Sequence, residues 1–169
     1  MHRIVMTSLF SMGVAAMWLA PLRAAGGLSL QDRKFLYVAS KGGTMELRLG
    51  QSGLDYGNSG GVKKLAQVLV DDHMKAAAEL SQIAGQKGVS LTSEDREMPN
   101  GLPALTGDAF DKEFVRTAVK KHERDIKEFE KEASSGSDPE LKAWAGKMLP
   151  VLHAHLEAAK ALSTKAANP

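Results

Sequence analysis

Apolar residues recur along four stretches of this chain with the period of an α-helix. In the first, Phe35, Val38, Ala39, Leu49 and Gly53 share a stripe with Glu46. Ser29 and Asp32, three residues apart, are the capping pair expected to open it, and it should end near Tyr56. The second stretch, residues 58–86, aligns Val62, Leu65, Ala66, Leu69, His73, Ala76, Ala77, Leu80 and Ile83, and Lys87-Gly88 closes it. The third, residues 108–134, turns Phe114, Val115, Ala118, His122, Ile126, Phe129 and Ala133 inward. The fourth, residues 138–166, opens on Asp138-Pro139, an N-cap acid before a proline at the first helical position. Its stripe is Leu141, Ala145, Met148, Leu152, His155, Ala159 and Leu162, and Pro150 in its middle is expected to kink it.

The connections order these helices. Links one and three are short, so each joins antiparallel neighbours. Residues 89–107 between helices two and three hold two prolines and several turn formers, and read as a long crossover. The expected fold is an all-α, ferritin-like antiparallel four-helix bundle with one crossover. Asp55–Gly61 (DYGNSGG) is rich in glycine where helix two should begin, which leaves its first turn open. Gly42-Gly43 falls inside helix one. Each glycine costs roughly 1 kcal/mol there, so the pair is read as permitting close helix approach or a local bend.

Composition changes the picture mainly at the N-terminus. Residues 4–20 are apolar and uncharged, preceded by Arg3 and followed by Pro21-Leu22-Arg23-Ala24-Ala25. That is the order of a secretory signal, expected to be cut near Ala24 and to leave residues 25–169 as one domain. The alternative is an uncleaved anchor, for which ~17 apolar residues sit at the lower limit of a spanning helix. The chain has 22 basic and 20 acidic residues; without Arg3 and Arg23 the remainder has 20 of each. A neutral domain has no bulk attraction for nucleic acid, nor for an anionic membrane once the signal is removed. There is no cysteine, which excludes disulfides, thiolate metal sites and thiol catalysis. A periplasmic or secreted location follows from this reading, with an envelope protein or a second copy as possible partner.

Each inward stripe is interrupted once by a group able to bind a metal: Glu46, His73, His122 and His155. Counted from the helix ends, neighbouring members differ by roughly 6 Å in height. Together they would make a His₃-carboxylate site for a single Zn, Fe, Cu or Mn ion. Asp72 beside His73, and Asp125 or Glu123 near His122, are candidates to orient imidazoles from behind. The paired Glu-x-x-His of di-iron bundles is missing: Val70 precedes His73 by three, and Leu152 precedes His155. His153 is read as a surface residue, Met45, Met74 and Met148 as core filler, and the run Lys120–Asp125 as a solvated face. No nucleophile motif or phosphate loop occurs, and the chain is read as non-enzymatic rather than as an enzyme.

Four segments carry a family resemblance: Phe35–Gly50 (FLYVASKGGTMELRLG), Val62–Leu80 with Asp72-His73, Phe110–Glu130, and Leu141–Ala159 with Leu149-Pro150 and His155-Leu156. The chain resembles the exported bacterial family called domain of unknown function 4142, whose members are assigned a ferritin-like bundle. The resemblance implies that Glu46, His73, His122 and His155 belong to the family pattern, the same four that periodicity singles out. The family has no settled activity. Two readings therefore stand: a metal-binding bundle with a role in envelope stress or metal handling, and a structural or protein-interaction module whose Glu/His cluster only fixes helix packing.

Overall fold

A computed structural model describes residues 27–91 and 105–167, with the side chains of residues 165–167 left out; the expected signal segment lies outside them. Four helices make up this part: α1 (Leu30–Tyr56), α2 (Gly60–Gln86), α3 (Gly107–Ser135) and α4 (Pro139–Ala167). The second helix begins two residues later than expected. Ser59 caps it by accepting from the Val62 amide, while Asn58 and Ser59 give their own amides to Asp111 of α3.

These bonds fix the topology. The α1–α2 turn sits against the start of α3, so both lie at one end, here the upper. At the lower end Lys87, just past α2, donates to Asp138 in the α3–α4 turn at 2.7 Å. There Asp32 also reaches across: its Oδ1 accepts from the Ser137 amide at 2.9 Å, while its Oδ2 accepts from Ser29 in the capping box. Helix α2 therefore ends at the bottom and α3 starts at the top, as the expected crossover requires; residues 92–104 of that link lie outside the described residues. Helix α1 packs on α2 and α3, and α4 packs on the same two, so all adjacent helices are antiparallel. The fold is the ferritin-like four-helix bundle expected.

The core comes in two apolar halves. The lower contains Phe35, Leu36, Phe129, Trp144, Leu80 and Leu152. The upper contains Leu49, Leu65, Leu69, Phe110, Phe114 and Ala159. Helix α1 comes closest to its neighbours in the upper half. A Cβ on Gly50 would lie 2.9 Å from the Ala66 carbonyl oxygen of α2, and one on Gly53 only 2.5 Å from the Phe114 ring of α3.

Three details depart from the expected stripes. Met74 is 53% exposed rather than core filler, because it follows the inward His73 by one residue and so faces away. Ala77 is likewise exposed. In the run Lys120–Asp125 only part is solvated: Asp125 is buried and Lys121 is half-buried with its ammonium covered. Lys121 lies three residues after the buried Ala118 and Asp125 three residues after the buried His122, so both fall within the wide stripe that a core-facing helix buries.

Candidate metal centre

Between the two apolar halves lies a polar layer built from the middle of every helix. Glu46 comes from α1, His73 from α2, His122 from α3 and His155 from α4, and all four are at most 5% exposed. One ring nitrogen from each of the three histidines lies within 4.8 Å of the others. The ring centroids are 5.2 Å apart for His122 and His155, 5.5 Å for His73 and His155, and 6.0 Å for His73 and His122.

Hydrogen bonding assigns the tautomers. His122 Nδ1 lies 2.9 Å from the Ala118 carbonyl oxygen, which can only accept, so Nδ1 carries the proton. His155 Nε2 lies 3.0 Å from Asp72 Oδ2 and donates to that carboxylate. The remaining nitrogens, His122 Nε2 and His155 Nδ1, then point lone pairs at each other across 3.2 Å. His73 Nε2 is buried with no hydrogen-bond partner. Burial pushes the His73 imidazole down to about 3, with the neighbouring His122 and His155 adding to the effect. Burial likewise holds His122 down to about 4, against the Ala118 carbonyl. At neutral pH His73 and His122 are therefore uncharged, and wherever His155 Nδ1 carries no proton the two facing lone pairs repel.

A metal cation is the group this donor set fits. Imidazole nitrogens bind at about 2.0–2.1 Å, which places two donors of a tetrahedral site about 3.3 Å apart. The His122–His155 pair is already at that spacing, so any remaining gap lies on the side of His73. The Asp72–His155 bond is the carboxylate–histidine support that fixes a ligating ring's tautomer and raises its basicity. Asp72 supports His155 across the helix pair and not its neighbour His73, since consecutive residues on a helix point about 100° apart.

Glu46 stands apart from the three imidazoles. Its Oε1 lies 3.7 Å from the proton-bearing Nδ1 of His122 and 3.9 Å from Lys121 Nζ, and neither carboxyl oxygen is hydrogen-bonded. Burial pushes its carboxyl up to about 8, against the attraction of Lys121. Burial lowers Lys121 in turn, against the pull of Glu46. Burial thus disfavours the charged form of each, while each charge favours that of the other. Lys121 is the residue of this layer that periodicity missed; its place beside His122 on the edge of the inward stripe was the available signal. Asp125 Oδ1 accepts from the Arg124 guanidinium and makes no bond to His122, whose nitrogens are committed to Ala118 and His155. Glu123 and His153 are exposed.

Residues 19–162 match the family described as Domain of unknown function (DUF4142). The chain belongs to this family. No curated protein sequence matches it. Among solved structures it is similar to CopM in the Cu(II)-bound form, at a TM-score of 0.66 and 16% identity over 79% of this chain and 96% of that one. CopM soaked with silver aligns at 0.65 and 19% identity, over 79% and 95% of the two chains. Apo CopM also aligns at 0.65 and 19% identity, over 79% and 96%. At these identities the likeness is one of fold.

Proposed function

We propose that this protein is an exported metal-handling bundle that holds one late transition-metal ion, copper foremost, on His73, His122 and His155. The observation that carries the reading is the pair of lone-pair nitrogens at 3.2 Å beside the orphaned His73 Nε2. Such an arrangement is costly without a cation and favourable with one. All-imidazole donors suit Cu, Zn, Fe and Ni, and the absence of cysteine removes the thiolate alternatives. The structural neighbours bound to copper or silver support copper over the others. Export is supported by the charged, apolar and small-residue order of the first 24 residues.

The test is metal analysis and chelator competition on protein purified without a histidine tag. Copper should bind at one equivalent and raise thermal stability, by about 2.7 kcal/mol at free metal 100 times the Kd. Replacing any of the three histidines by alanine should abolish that gain. A protein that takes up no copper and gains no stability from it sinks the reading.

A second reading treats the layer as a packing device inside a structural or interaction module, and the same 3.2 Å contact favours it, since a proton held there would also satisfy both nitrogens. Because burial holds His122 down to about 4, such a proton would have to reside on His155 Nδ1, with Asp72 behind the same ring. On this reading each histidine variant would lose the same stability with or without metal.

A further inference from the structure

A cavity of about 290 Å³ adjoins the imidazole group on the side of the lower core. Of the three candidate ligands His73 alone lines it, and its buried Nε2 has no partner. The exposed Ala77 and Ser81 of α2, with the half-buried Ser40 and Thr44 of α1, mark its mouth between those helices. Two carboxylates of α3, Asp125 and Glu128, stand in its wall. Asp125 Oδ1 accepts from Arg124, while Oδ2 faces α1 at 3.3 Å from where a Cβ on Gly42 would sit.

The glycine pair keeps this space open. A Cβ on Gly43 would touch only His73 Nδ1, at 4.0 Å, so a side chain there would project into room now left by bare backbone. The pair thus brings α1 against Asp125 and His73 and at the same time leaves a passage beside them.

We infer that this cavity is the route by which a metal cation reaches the three imidazoles, with Asp125 and Glu128 drawing it in and His73 the first imidazole it meets. The inference rests on the metal reading above and adds a direction of entry to it. Carboxylates in a low-dielectric wall attract a cation more strongly than the same groups in water. They act on the rate of loading, whereas the imidazoles set the affinity.

Two plugs test it. Gly43→Leu fills the passage from α1, and Ala77→Leu fills the mouth from the exposed edge of α2, one turn beyond His73. Gly85→Leu serves as the control, since nothing lies within 4 Å of a Cβ there. Cu(II) loading of the full chain is followed by stopped-flow quenching of tryptophan emission, Trp144 being the tryptophan of the described residues and part of the cavity wall. Both plugs should slow loading, and release to a chelator, about ten-fold or more and in parallel, with Kd unchanged. The control should load like the parent. Asp125→Asn should slow loading and flatten its dependence on ionic strength.

If both plugged proteins bind copper with parental affinity at parental rates, the route lies elsewhere and the inference is overturned. Should Gly43→Leu alter affinity by displacing His73, the Ala77→Leu rate alone decides. Parent protein that shows no quenching and no competition with a chelator fails at the earlier step, and the metal reading falls together with the route.

Discussion

His122 Nε2 and His155 Nδ1 face each other across 3.2 Å, and in each ring the opposite nitrogen is committed as a donor. The commitments come from different parts of the fold. Ala118 is one turn back on the same helix as His122, whereas Asp72 reaches His155 from α2.

The Asp72 contact yields the first prediction. Asp72 is one-third exposed, so replacing it perturbs the core little, yet it holds the Nε2 side of His155. Asp72→Asn should weaken copper affinity about 10–100-fold, the usual cost of losing a carboxylate behind a ligating histidine. Thermal unfolding of the metal-free protein should change little. A chelator-competition titration of the two proteins reads the difference, and equal affinities would remove Asp72 from the site.

The metal-free protein should also show a distinctive pH profile. His73 and His122 titrate at about 3 and about 4 in the fold, below the ordinary 6.5. Between those values and 6.5 the unfolded chain binds more protons, so these rings make stability fall as pH falls below 6.5. Glu46 has the opposite sign. Its folded value of about 8 exceeds the ordinary 4.5, so the contribution from its protonated form is complete below 4.5 and is lost as pH rises towards 8. Stability should therefore peak near pH 6.5 and decline towards 8, by at most about 1.4 kcal/mol per pH unit for one proton. In Glu46→Gln the decline from 6.5 to 8 should vanish and the acid limb steepen. Urea unfolding at half-unit pH steps, with a strong chelator present, measures both limbs; a parental decline that survives in the variant would place its source elsewhere.

Helix periodicity made the bundle and three of the metal-ligating candidates legible, because a stripe that buries one face shows any polar residue on it. It placed His73, His122 and His155 on inward faces and at compatible heights, and the fold brings their nitrogens together. It also put Glu46 inward, but the spacing along α1 says nothing of its azimuth relative to α3. In the structure Glu46 meets Lys121 and the proton-bearing side of His122. Contacts between helices, such as Asp72 with His155 or Lys87 with Asp138, depend on the register of one helix against another. Periodicity within a single helix does not contain that information. Charged residues at the edge of a stripe, Lys121 and Asp125, read as solvated because their type outweighed their position.

At the lower end, Asp32 joins three elements through one carboxylate. Oδ2 closes the capping box with Ser29, while Oδ1 accepts from the Ser137 and Asp138 amides at 2.9 and 3.3 Å. Burial pushes this carboxyl up, but the Ser29 bond and the two amides outweigh it and hold it below the ordinary range. Asp32→Ala leaves those amides without their acceptor and removes the carboxylate half of the capping box, while Ser29 Oγ still accepts from the residue 32 amide. The loss should be about 3 kcal/mol, combining a cap with charge-assisted bonds to the turn. Denaturant unfolding at pH 7 should show a lower midpoint with an unchanged slope; a loss within 0.5 kcal/mol, the range of ordinary surface changes, would rule out the tie.

The glycines of α1 supply a prediction in which intrinsic propensity and packing oppose each other. In a helix interior, alanine is favoured over glycine by about 1 kcal/mol. At Gly85, where a Cβ meets nothing within 4 Å, Gly85→Ala should therefore stabilise the protein by up to about that amount. At Gly53 the same substitution brings a methyl to 2.5 Å from Phe114 and 2.7 Å from the Ala66 Cβ, both themselves fully buried. Neither neighbour is the free end of a flexible chain, so α1 has to move away from α2 and α3 together. Overpacking of this kind costs about 1–3 kcal/mol, enough to reverse the propensity gain. Gly53→Ala should lower the unfolding midpoint while Gly85→Ala raises it. Stabilisation at both positions would mean that the close approach of α1 in the upper core is not required by the fold.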